Sequence, residues 1–83
     1  MKNAFHYVYI LTSQSDNNRY YTGLTQNLET RLQAHNAGQV SYTSKYRPWT
    51  IETAIAFRSR EKAAAFENYL KTHSGRAFAA KHF

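Results

Sequence analysis

The side chains able to do chemistry in this sequence are few: tyrosines Tyr7, Tyr9, Tyr20 and Tyr21, an arginine and a histidine four apart at Arg31 and His35, and Glu67 within "AAAFENYLK". A phenol can take or pass a proton. At neutral pH, however, a free tyrosine with a pKa of about 10 is only roughly 0.1% phenolate, and lowering that value to 7 needs about 4 kcal/mol of differential stabilisation. A guanidinium can grip phosphate through two charge-assisted hydrogen bonds. A carboxylate at the border of an apolar helix face can hold a hard divalent cation, provided that water and a substrate phosphate complete the shell. Each residue also has a plainer role. Cross-strand aromatic pairs stabilise sheets, an arginine stem can lie on apolar surface while its head reaches water, and Glu67 with Lys71 is an ordinary i, i+4 ion pair.

The elements that must position these groups follow from the pattern of apolar residues. "FHYVYILT", residues 5 to 12, is aromatic and β-branched, and "SQSDNN" supplies turn chemistry before a second aromatic run, "RYYTGL". The two predict a strand hairpin. Phe5, Tyr7, Tyr9 and Leu11 share one face of the first strand, and Tyr21 shares a face with Gly23, which leaves open space beside that phenol. In "RYYTGLTQNLETRLQAHNAG" the period then becomes helical, with Thr25 or Asn27 as N-cap, Leu28 and Leu32 on the inner stripe, and Gly38 as the stop. Arg31 and His35 lie on or beside that stripe rather than on the far face.

"TIETAIAF" predicts a third strand, with Ile51, Thr53, Ile55 and Phe57 on one face. "SREKAAAFENYLKTH" predicts a helix capped by Ser59, with Phe66 and Leu70 as its apolar pair, and Ser74 could cap a last short helix. All 83 residues, 1–83, read as one small domain, too small for a large pocket.

Eleven Lys and Arg against five Asp and Glu give a formal charge of +6, which draws polyanions and makes nucleic acid the first partner to consider. The loop "SYTSKYRPW" mixes Lys45 and Arg47 with Tyr42, Tyr46 and Trp49, a combination that can pair phosphates while stacking bases. Lys71, nearer the end of the chain, adds a third candidate phosphate contact. Without cysteine there is no disulfide framework or thiolate zinc site, which suits a reducing cytoplasm. The four histidines lack paired ligand spacing, and the isolated glycines form no phosphate-cradling loop. No stretch is long enough to cross a bilayer, so a membrane is not expected as a partner.

Taken in order along the chain, these residues resemble the GIY-YIG nuclease family, in particular its small stand-alone bacterial members, which are related to the N-terminal domain of the UvrC repair endonuclease. "YVYIL" stands at the first signature with Tyr9 as its tyrosine, and "YTG" at the second with Tyr21 and Gly23. Arg31, ten residues after Tyr21, matches the catalytic arginine, and Glu67 in "FENYLK" the metal-binding glutamate. Tyr7 stands where the first signature has glycine, and Leu24 where the repair nuclease has lysine.

The resemblance implies an α/β (α+β) domain, a three-stranded and mostly antiparallel sheet flanked by helices, that hydrolyses DNA phosphodiesters with one Mg²⁺ or Mn²⁺. Within it Tyr21 is the general base, Tyr9 positions the nucleophile, Arg31 stabilises phosphate charge, His35 assists proton transfer or phosphate binding, and Glu67 anchors the metal. Arg31 and the metal are then the local positive charge that favours a phenolate. DNA, branched or single-stranded, is the expected substrate, with repair or recombination as the setting. A non-catalytic nucleic-acid-binding or regulatory module on the same fold remains open as an alternative.

Overall fold

The computed structural model describes residues 4–83. Its most apolar run becomes β1 (His6–Ser13), the one strand with a neighbour on each edge, where β-branched and aromatic side chains are buried on both faces. β2 (Tyr20–Thr25) and β3 (Trp49–Phe57) flank it, both antiparallel, in the order β2-β1-β3. Tyr9 therefore sits opposite Gly23 on one side and Ala54 on the other.

One irregularity decides which way β3 faces. Ile10 pairs with Thr53 but Leu11 pairs with Ile51, so Glu52 is an extra residue and the alternation of sides inverts there. Ile51 consequently leaves the face shared by Thr53, Ile55 and Phe57, contrary to the expectation from strict alternation. The same inversion carries Trp49 to the face of Tyr9 and Leu11, where it is 1% exposed.

The sheet is covered on both sides. Val8 and Ile10 pack against Ala63, Phe66 and Leu70 of α2 (Arg60–Leu70) and Phe78 of α3 (His73–His82). Tyr9, Leu11 and Trp49 pack on the opposite face against Leu28 and Leu32 of α1 (Leu28–Asn36) and against Tyr46, which ends a single 3₁₀ turn at Thr43–Tyr46. Burying side chains of this size contributes about 1.5–3 kcal/mol each, and the two small clusters together hold three layers.

Local chemistry ends the helices much as their sequences predict. Asn27 caps α1 by accepting from the Thr30 amide at 3.0 Å, while Thr25 in turn accepts from the Asn27 amide at 3.1 Å. Gly38 stops the helix with a φ of 81°, a left-handed conformation that a side chain would strain. Ser59 caps α2 at the Lys62 amide, 3.2 Å away. That helix ends at Leu70, short of His73, and Thr72 rather than Ser74 caps α3, accepting from the Gly75 amide at 3.1 Å. Thr72 takes the role because its hydroxyl also donates to the Tyr69 carbonyl at 2.6 Å and so closes the corner between the helices. No helix among the described residues is long and apolar enough to cross a membrane.

Candidate active site

Tyr9 leaves the central strand towards α1, and its phenol lies directly over Gly23 on the neighbouring strand. A Cβ at Gly23 would overlap the Tyr9 hydroxyl, so only glycine allows the ring to lie flat across β2. The space expected beside Tyr21 is thus filled by Tyr9.

One turn of α1 brings two partners to this hydroxyl. His35 Nε2 is 3.0 Å from it, and the Arg31 Nε–H donates to it across a longer 3.4 Å. The other imidazole nitrogen, Nδ1, is 2.8 Å from the Thr43 hydroxyl, which donates its own proton to the Val40 carbonyl at 3.2 Å. Because Thr43 spends its proton on Val40, it can only accept from His35. This pattern assigns the proton to Nδ1 and leaves Nε2 to accept the Tyr9 O–H. Arg31, Tyr9, His35 and Thr43 form one directional chain that ends at a backbone carbonyl.

Electrostatics agree with that direction. Burial first, and the Arg31 charge second, hold the His35 pKa below its ordinary 6.5. Burial raises the Tyr9 pKa above 10; the hydrogen bond and charge of Arg31 oppose the rise, whereas Tyr21 and Glu67 add to it. The Arg31 guanidinium is held charged more firmly than usual, chiefly by Tyr9. At neutral pH the free protein therefore holds a neutral imidazole, a protonated Tyr9 and a charged Arg31.

Tyr21 lies outside this chain but against it, with its ring centroid 4.8 Å from that of His35 and 6.4 Å from that of Tyr9. Unlike Tyr9, which is 2% exposed, it is only half-buried and meets solvent. Tyr42 and Tyr46 continue the aromatic row at centroid spacings of 6.2 and 6.1 Å, and the Arg19 guanidinium closes it 4.5 Å from the Tyr46 ring.

Glu67 comes from α2. Its Oε2 is 3.1 Å from Lys71 Nζ, the ion pair that the i, i+4 spacing predicts, and its charge is felt at Tyr9. Among the described residues there is no group of three or more metal-ligating side chains. A lone carboxylate, 18% exposed, still fits a hard cation that keeps several waters and takes the rest of its shell from substrate phosphate. Lys45 lies within the 3₁₀ turn and Arg47 just after it, both exposed, with the Arg47 Nε–H donating to the Ser44 carbonyl at 2.8 Å and its guanidinium close against Gly38. Trp49, which the sequence groups with them, instead opens β3 as a core residue closed off from any base.

Two positions that sequence reasoning passes over complete the site. Thr43 fixes the imidazole, and Asn36 clamps the start of β3 through both its amide atoms, accepting from the Trp49 amide at 2.6 Å and donating to its carbonyl at 3.1 Å. Neither carries a motif; each acts across a loop whose path the sequence does not disclose.

The family profile described as the GIY-YIG catalytic domain matches residues 5–81. A UPF0213 protein of Staphylococcus haemolyticus is 40% identical over 72 residues, covering 86% of this chain and 85% of that protein. Another, from Haloquadratum walsbyi, is 33% identical over 73 residues, covering 87% and 80%. The solution NMR structure of UPF0213 protein BH0048 from Bacillus halodurans superposes with a TM-score of 0.56 at 29% identity, over 93% of this chain and 83% of that one. With a match across nearly its whole length and the same small relatives in sequence and structure, the chain belongs to the GIY-YIG family of nuclease catalytic domains.

Proposed function

We propose that the protein is a divalent-metal-dependent endonuclease that hydrolyses DNA phosphodiester bonds, acting in repair or recombination in the cytoplasm. The observation that carries this reading is the hydrogen-bonded chain from Arg31 through Tyr9 and His35 to Thr43, set beside the solvent-reaching Tyr21. A structural tyrosine needs one partner for its hydroxyl. Tyr9 has a cation on one side and a neutral, correctly protonated imidazole on the other, an arrangement suited to holding charge and passing a proton.

In this reading Tyr21, in reach of water, acts in its phenolate form and takes the proton of the attacking water; the water oxygen bonds to phosphorus as the bond to the leaving oxygen breaks, and that oxygen takes up a proton from solvent. Arg31 faces the phosphate and stabilises the charge that builds on its oxygens. His35 is fully buried with both nitrogens bonded, so it acts through Tyr9 and not on the phosphate itself. Bound at Glu67, Mg²⁺ or Mn²⁺ would neutralise phosphate charge and help the leaving oxygen depart. Lys45, Arg47 and Lys71 contribute charge along the path of the backbone.

The test is a cleavage screen over single-stranded, duplex, flap and branched DNA with Mg²⁺, Mn²⁺ or EDTA, using wild type and Glu67→Gln. Wild type is expected to cut only with metal. Glu67→Gln should not cut, while its melting temperature stays close to wild type, because the amide keeps the shape of the half-buried carboxylate and an i, i+4 pair whose lysine is half exposed contributes only about 0–1 kcal/mol. Full cleavage by Glu67→Gln would remove this residue from the mechanism. DNA binding without cleavage by wild type on every substrate would leave the binding-module reading in its place.

A further inference from the structure

A cleft of about 640 Å³ opens at the outer end of β2, where that strand, the end of α2 and α3 meet. Its composition is specific. Tyr20 and Tyr21 present aromatic surface, Arg19 and Lys71 bring cations that also pair with Asp16 at 3.4 Å and Glu67 at 3.1 Å, Arg76 brings a third, and Glu52 is the one acidic residue in the lining. Tyr20 is 57% exposed, far more than a ring this size needs to be if its purpose were packing.

Two of these residues tie the cleft to the candidate active site. Tyr21 is the phenol stacked beside His35, and Lys71 is the ion-pair partner of Glu67. The cleft therefore adjoins the candidate active site through the side chain of Tyr21 and the partner of Glu67.

We infer that this cleft holds unpaired nucleotides of the strand being cut, their bases stacked on Tyr20 and their phosphates met by Arg19 and Arg76. The inference rests on the nuclease reading and adds a substrate form to it. The three cations select a polyanion. The exposed aromatic faces select among polyanions, because duplex bases hide their faces in the stack whereas unpaired bases offer them. A free phosphate would use the cations and ignore the rings.

The experiment measures binding in EDTA, where no cleavage occurs, so it does not depend on the nuclease reading. Fluorescence anisotropy of a labelled oligothymidylate and of a blunt hairpin duplex with the same number of nucleotides is compared for wild type, Tyr20→Ala with Arg76→Ala, and Tyr20→Phe. Both substituted side chains are exposed, and thermal melts check that the variants fold. The double variant should bind the oligothymidylate about tenfold or more weakly and the duplex with far less change, whereas Tyr20→Phe, which keeps the stacking face, should match wild type. Wild-type affinity of the folded double variant for the single strand, an equal loss on the duplex, or no binding of the single strand by wild type would each overturn the inference. If instead these binding results hold and no substrate is cleaved, the nuclease reading fails while the cleft keeps its ligand.

Discussion

Arg31 donates from Nε to the Tyr9 oxygen, 3.4 Å away, and Tyr9 and then Tyr21 hold its guanidinium charged. That geometry is what a transition-state contact requires, since the group is held in place before substrate arrives. Arg31→Ala should lower the cleavage rate by about 100-fold to 1,000-fold while much of the DNA affinity survives, measured by single-turnover kinetics alongside binding. His35 yields a second prediction with a definite sign. Its folded-state pKa lies below 6.5, so between that lowered value and 6.5 the unfolded chain binds more protons than the folded one. The stabilisation is fully present above about 6.5 and is lost as pH falls through the folded-state pKa. Protonation also removes the acceptor for the Tyr9 O–H. Stability and cleavage should therefore decline together on the acid side, and His35→Gln should flatten that limb of the melting-temperature profile.

At the scale of the elements, the corner between α2 and α3 depends on a missing side chain. A Cβ at Gly75 would collide with the Tyr69 carbonyl, so Gly75→Ala should cost about 1–3 kcal/mol through overpacking. Thermal melts read such a loss at about 4–8 °C per kcal/mol in a domain of this size. All three strands were legible in the sequence, as were the Ser59 cap and the Gly38 stop, because aromatic and β-branched alternation and capping chemistry are local. The inversion at Glu52 was not. It is a property of how β3 meets β1, and no residue near Ile51 encodes it alone. The same distinction runs through the candidate site. Tyr9, Tyr21, Arg31, His35 and Glu67 could be picked out by type, spacing and family resemblance, and the structure brings the first four together. Thr43 has no signature, since its role exists only once the loop after α1 folds back on the imidazole.

Taken whole, the described chain measures 37 × 32 × 18 Å between extreme Cα positions and carries a formal charge of +6. So thin a body cannot enclose a nucleic acid; under the proposed function DNA lies across it, and charge does much of the holding. Affinity should fall linearly on a plot of log K against log salt, with a slope of about 0.9 per phosphate neutralised on duplex and about 0.7 on single strands. Lys45→Ala with Arg47→Ala should reduce that slope and weaken binding alike on different sequences, whereas an affinity indifferent to salt would contradict the electrostatic account. Trp49 offers a means of watching the catalytic frame without any substrate. It is the sole tryptophan, and while Asn36 holds its amide, its indole N–H donates to the Thr43 carbonyl at 2.7 Å. The residue beside His35 and the residue that fixes His35 are thus both bound to one fluorophore. Its indole proton resonance and emission maximum become built-in spectroscopic gauges, shifting whenever the imidazole loses its seat and remaining still when a variant disturbs only the DNA-facing surface.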